Sequence, residues 1–341
     1  MPDGDPVTDA RYLVHGVFWD GPAAAGFRHD GGGPVLRLEQ LEHREPSEAS
    51  ELARPQHPDP ARLDGRFREV TLRSGTHLGF RVSGAGKFCL GHHKVHSPSQ
   101  RDHVLCPGGA AAVQGSQCDR CFVMDDSRLI HDFHRGGRVP AGLRAYLMQP
   151  HWLYVATFAG GATKVGTASD LRKWNRLAEQ GAAVARYVAR ADDGRVVRVL
   201  EDMVTSAAGL PQQIRSAAKA AALTAPAPAV GLDARNRQLA AEVRSLLARS
   251  GVEGFSVVDE QWVRPAQADP ISSPGPRHAY PHDFSEGSHG FRITSLSGAY
   301  ALAALEGSEL EFIVSLGLLK GRKIELGDYS SEVPAVQESL F

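Results

Sequence analysis

The 341 residues are 42% hydrophobic and 23% charged, with a formal net charge of -1. That balance excludes an intrinsically disordered chain and a uniformly basic nucleic-acid-binding tail. No apolar run approaches the roughly 20 residues of a membrane-spanning helix, and the opening MPDGDPVTDA has no signal-peptide character, so a cytoplasmic protein without a membrane partner is expected.

The length is enough for two or three domains, each with its own core. Residues 1–10 are expected to be disordered. Residues 12–19 (YLVHGVFW) form a strand candidate followed by a turn at Asp20 and Gly21, and residues 35–38 form a second short strand. Residues 39–63 are polar and rich in Pro, Glu and Ala, the pattern of an extended surface linker. Two further strands, 68–72 and 77–82, flank a turn at Ser74 and Gly75. Residues 1–86 are therefore expected to form a β-rich N-terminal unit.

All four cysteines fall between residues 89 and 121. In a reducing compartment, such a cluster reads as a metal site before it reads as disulfides. Cys118 and Cys121 form a C-x-x-C knuckle whose turn can point two thiolates at one ion, and Cys89 and Cys106 can supply the second pair. Four thiolates suit a structural zinc and leave no open position for catalysis. His92, His93, His96 and His103 share the stretch and are alternative ligands in place of Cys89 or Cys106; the four cysteines are the expected set. Residues 87–150 are thus read as a zinc-binding module.

Residues 151–224 carry the order strand, strand, helix, strand, helix. Residues 153–158 and 163–167 form a hairpin about Ala159-Gly160-Gly161-Ala162. Ser169 or Asp170 caps a helix with Leu171, Trp174 and Leu177 at helical spacing, residues 183–189 form a third strand, and residues 195–208 form a second helix stopped by Gly209. Ten basic residues against six acidic ones leave residues 151–222 at about +4 in a mildly acidic chain, a face that can meet phosphates or simply be solvated. An Ala/Pro linker near residue 225 opens a C-terminal domain, 225–341, with an amphipathic helix over 232–249. A Pro/Gly/His-rich loop over 264–290 follows, and then short strands over 291–294, 300–305, 310–316 and 323–326, the pattern of a small barrel or curled sheet. The expected class is α+β: a β-rich N-terminal unit with a four-cysteine zinc module, a central three-stranded antiparallel sheet flanked by helices, and a C-terminal helix with a small β-barrel-like unit.

The central segment resembles the GIY-YIG nuclease superfamily. Trp152-Leu153-Tyr154 stands where that superfamily has Gly-Ile-Tyr, and Lys164-Val165-Gly166 where it has Tyr-Ile-Gly. Residues 89–223 are most similar to an uncharacterised bacterial family, common in actinobacteria, that joins a four-cysteine module to such a domain (domain of unknown function 2797); the run Arg176-Leu177-Ala178-Glu179-Gln180-Gly181-Ala182 fits its signature. The resemblance implies a three-stranded sheet and a phosphodiester site. In that site Tyr154 is the hydroxyl nearest the attacking water, Lys164 the cation beside it, Arg176 the phosphate contact, and Glu201 the ligand of a divalent Mg or Mn ion. Arg suits phosphate because its planar fork matches two oxygens, and Glu offers Mg²⁺ a hard oxygen. Lys164 and Trp152 depart from the superfamily pattern. Three functions therefore stand open: a metal-dependent nuclease or phosphoryl-transfer enzyme acting on DNA or RNA, a non-cleaving zinc-containing nucleic-acid-binding protein for structured RNA such as tRNA, and a pocket reused for a small molecule in secondary metabolism.

Overall fold

The computed structural model describes residues 11–19, 33–41, 67–131 and 133–333. The disorder expected for residues 1–10, the turn at Asp20 and Gly21, and the linker beyond residue 41 lie outside the described residues. Short runs rich in Val, Leu, Phe and Tyr in the N-terminal segment form β1 (Arg11–Trp19), β2 (Pro34–Leu41), β3 (Phe67–Thr71) and β4 (His77–Val82). The cysteine-bearing segment follows with the hairpin β5 (His92–Val95) and β6 (Arg101–Val104), then helices α1 (Asp119–Met124) and α2 (Ala141–Leu147). The central segment supplies β7 (His151–Thr157), β8 (Thr163–Ser169), α3 (Lys173–Gln180), β9 (Val184–Ala191), α4 (Gly194–Ala208) and α5 (Ser216–Thr224). The remainder forms α6 (Ala229–Leu247), β10 (Phe255–Gln261), α7 (Asp269–Ser272), β11 (His278–Ala279), β12 (Ser288–Ser297), β13 (Tyr300–Ala304), β14 (Glu311–Ser315) and β15 (Lys323–Leu326). Among the described residues no helix is long and apolar enough to cross a membrane.

The C-terminal strands do not close into a barrel-like unit, which corrects the expected fold class. They join the N-terminal strands in one open nine-stranded sheet of order β11-β14-β13-β12-β4-β15-β1-β2-β3. β12 pairs with β4, and β15 inserts between β4 and β1, so each takes a partner from the other end of the chain. The outermost strands, β11 and β3, are not paired to each other, and β11 lies parallel to β14 while the other pairings are antiparallel. Alternating hydrophobicity marks a strand but does not name its neighbour, and that is where the barrel expectation went astray.

The expected three-stranded central sheet has four strands, in the order β10-β9-β7-β8. β7 and β8 are adjacent and antiparallel, with Tyr154 opposite Gly166 and Ala156 opposite Lys164. β10 adds to the edge from beyond residue 225. Sheet membership thus crosses the segment divisions at residues 86 and 225.

The alternation along β7 divides the core. Leu153 and Val155 face α4 and α6, packing with Val197, Leu200, Val204, Val243 and Leu247. Tyr154 and Ala156 face the opposite way, into a core shared with Leu36, Phe80, Phe291 and Leu316 of the large sheet and its flanking turn. The molecule is therefore layered: large sheet, small sheet, helices. One polar group is sealed inside. The Asn236 side chain of α6 donates to the Val155 carbonyl oxygen at 3.1 Å and to Thr157 at 3.0 Å, and accepts from Arg186 at 2.9 Å. Each of its polar atoms is satisfied, so burial costs little and fixes α6 on the sheet.

Candidate functional site

The four cysteines arrive from three local structures. Cys89 precedes a tight turn in which the Gly91 N–H donates to its sulfur at 3.3 Å. Gly91 has φ of 86°, and a Cβ there would lie 2.0 Å from the Val104 carbonyl oxygen, so the turn admits no larger residue. Cys106 follows β6, Cys118 caps α1, and Cys121 lies on its first turn. The four sulfurs all lie within 4.8 Å of one another. A tetrahedral zinc–thiolate site, with bonds of about 2.3 Å, separates its sulfurs by roughly 3.8 Å, so the donor set and spacing fit such a metal. Burial pushes the Cys89 and Cys121 thiols up, while the Cys121 backbone N–H holds Cys118 down. A bound cation reverses the cost of gathering thiolates. His103 contacts the Leu90 carbonyl oxygen and stacks on His93, and none of the candidate histidines joins the cysteine group. Among the described residues this is the one group of three or more Cys, His or acidic side chains spaced to hold a metal.

Tyr154, Lys164, Arg176 and Glu201 share one neighbourhood, because each bears on the ionisation of another. Tyr154, Lys164 and Glu201 are closed in, whereas Arg176 is exposed. Tyr154 is 0% exposed, and its hydroxyl accepts from Gln180 Nε2 at 2.9 Å with Arg176 also in contact. Burial raises its pKa, which works against a role as general base. The ring lies over Gly166, where a Cβ would meet the hydroxyl at 2.5 Å; this explains the glycine in Lys164-Val165-Gly166. Lys164 is buried and donates to the Gln212 carbonyl oxygen at 3.1 Å. Burial, then the Arg176 charge, brings its pKa down to about 8. Lys219, which the sequence reading passed over, joins this cluster: it donates to the Gln180 carbonyl oxygen, lies 3.9 Å over the Phe158 ring, and is lowered to about 7 by burial and then by Lys164 and Arg176. Glu201 is 3% exposed, and its carboxylate takes the Arg198 guanidinium one turn back on α4. A carboxylate so engaged has little left to offer a divalent ion.

Beside this cluster a cavity of about 210 Å³ opens between the cysteine-bearing segment and the central sheet. Arg101 comes to it from β6, Arg172 and Arg176 from the turn into α3 and from α3 itself, and Arg198 from α4. Among the described residues its lining contains no carboxylate. Three larger cavities, of about 600, 730 and 700 Å³, each have at least one acidic residue in their walls. Tyr146, Ser169 and His151 complete the polar part: Tyr146 donates to Ser169 Oγ at 3.1 Å, and His151 Nδ1–H donates to the Gln149 carbonyl oxygen at 2.8 Å. Burial lowers the His151 pKa and keeps the ring neutral near pH 7. Gly194 permits this closure, since a Cβ there would lie 2.9 Å from the Leu147 carbonyl oxygen. Arg101 was legible only as a spacer between cysteines, and no local pattern tied it to Arg172 or Arg198.

Neither the curated proteins nor the solved structures include a match to this chain. Residues 75–284 match the family described as Protein of unknown function (DUF2797), a span that runs from β4 through both the cysteine cluster and the central sheet. With well over half of its length matched, the chain belongs to that family.

Proposed function

We propose that the protein binds nucleic acid without cleaving it and carries one structural zinc on Cys89, Cys106, Cys118 and Cys121. The observation that carries this reading is the cavity with arginines from both the cysteine-bearing segment and the central sheet and, among the described residues, no carboxylate in its lining. Guanidinium groups gathered around a concave surface match phosphate oxygens, and phosphate contacts supply most of the affinity of such proteins. The zinc module holds β6, and so Arg101, against the central sheet. The GIY-YIG resemblance belongs to this reading as a shared scaffold, supported by the antiparallel β7–β8 hairpin. Cleavage is disfavoured because Tyr154 is sealed and Glu201 is paired with Arg198.

The test is a gel-shift and cleavage series on structured RNA, single-stranded DNA and duplex DNA, with EDTA, Mg²⁺ or Mn²⁺. The expected result is retardation that weakens with salt, at a slope of about -2 to -4 in log-log form, and intact nucleic acid in every lane. Metal-dependent products would overturn the non-cleaving reading, and the absence of any shift at low salt would overturn nucleic-acid binding. Elemental analysis should find about one zinc per chain, falling below about half an equivalent in Cys118→Ser together with a lower melting temperature.

A further inference from the structure

The geometry points to a phosphomonoester as the group this cavity receives, so that the protein recognises the phosphorylated end of a strand and not an internal phosphodiester. This rests on the nucleic-acid reading and names what the site holds.

Charge is the first argument. Glu179 takes Arg172, and Glu201 takes Arg198, so two of the four guanidinium charges are met from outside the cavity. Arg101 and Arg176 have no carboxylate partner among the described residues; Arg101 lies 5.2 Å over the Tyr146 ring, and Arg176 lies beside the Tyr154 hydroxyl. Two carboxylates near His151 are occupied elsewhere: Asp193 accepts the Arg195 and Val196 N–H groups, and Asp170 accepts the Trp152 indole N–H at 2.6 Å. Among the described lining residues two guanidinium charges are thus left without a carboxylate partner, while Asp170 and Asp193 keep their own charges outside that lining. A phosphomonoester carries about -1.5 to -2 at pH 7, whereas a phosphodiester carries about -1.

Shape is the second. The cavity is smaller than the roughly 300–1,000 Å³ of ordinary small-molecule pockets. The buried side chains of Leu147 and Val197, with Ala168, make part of its wall apolar. A cavity of this size has room for one phosphate group and little of a neighbouring nucleotide.

The third is a donor left over. Ser169 is 4% exposed and lines the cavity. Its oxygen accepts from Tyr146, and among the described residues its own hydrogen has no acceptor. That buried hydroxyl can donate to a phosphate oxygen. The N-terminus of α4 is not itself the anion site, because Asp193 already caps it.

The experiment measures fluorescence anisotropy of full-length protein with short single strands of DNA and RNA bearing a 5′-phosphate, a 3′-phosphate or hydroxyl ends, at one salt concentration. Calorimetry with inorganic phosphate and a nucleoside 5′-monophosphate runs alongside. A phosphorylated end should tighten binding about tenfold, the scale of one charge-assisted contact. Arg101→Ala, at an exposed position, should bring the ratio of phosphorylated-end to hydroxyl-end affinity close to one, whatever it costs binding of both strands; Ser169→Ala should reduce that ratio in part. Retained zinc and an unchanged melting curve show that each variant is folded. Equal affinity for all ends overturns the inference and leaves the nucleic-acid reading standing, as does an end preference that survives both Arg101→Ala and Arg172→Ala. Arg101-dependent binding of the mononucleotide with no binding of any strand supports the phosphomonoester site and overturns the nucleic-acid reading.

Discussion

Glu201 stands beside the groups a nuclease would use, yet its carboxylate closes on Arg198. Replacing it by Gln leaves that guanidinium without its counter-charge in a largely buried place. Removing one partner of such a pair destabilises more than the pair itself contributes. Glu201→Gln should therefore lower unfolding free energy by about 1–3 kcal/mol in denaturant melts, and Arg198→Met in the same chain should restore part of it. No loss in the single variant would free Glu201 for another role. The buried lysines make a second residue-level expectation. Burial, with Arg176 and Arg198 nearby, holds Lys164 near 8, and burial, with Lys164 and Arg176 nearby, holds Lys219 near 7, against the ordinary 10.5. Between those values and 10.5 the unfolded chain binds more protons than the folded one, so these groups make stability rise with pH across that window. Melting temperatures between pH 7 and 10 should rise less steeply in Lys219→Met than in the parent chain; parallel curves would show that Lys219 is not depressed.

At the scale of elements, the β7–β8 hairpin depends on Tyr154 lying across Gly166. A methyl group at that glycine must push the Tyr154 ring into a packed core or part the strands. Gly166→Ala should cost about 1–3 kcal/mol, the range of overpacking, and amide exchange should show β7 and β8 losing protection first. A neutral effect would mean that the ring has room to move. The hairpin was legible because a turn-rich AGGA lies between two β-rich runs. The stop of α4 was legible for an equally local reason: Gly209 takes φ of 67°, and glycine adopts that conformation without strain. Asn236 was not legible as an anchor, because its helix reads as an ordinary amphipathic one, and its partners lie about eighty residues earlier in Val155 and Thr157.

For the whole molecule, the decisive feature is the sheet that joins the two ends of the chain. β1 pairs with both β2 and β15, and β4 with both β12 and β15. A chain ending at residue 285 should therefore lose more than its own tail. β1 would keep one unpaired edge and β4 would lose both of its partners, and the core around Leu36 and Phe80 would lose Phe291 and Ile324. Limited proteolysis should then cut within residues 67–82, with the full-length chain resistant there; a truncated chain equally resistant would show that the N-terminal strands stand alone.

What was readable from the sequence is what neighbours along the chain decide. The C-x-x-C turn brings two sulfurs together over four residues, glycines end helices, and alternation marks strands, each through forces acting within a few residues. What the tertiary structure alone decided is partnership. The C-terminal strands have the alternation of a self-contained barrel, but their edges are taken by β1 and β4. Arg101, Arg172, Arg176 and Arg198 are ordinary surface residues until packing of the cysteine-bearing segment on the central sheet brings their charges around one cavity. Glu201 has the right residue type for a metal ligand, and only its distance to Arg198 shows the charge already matched. Contacts between residues far apart in the chain depend on which surfaces bury together, and local pattern carries no record of that choice.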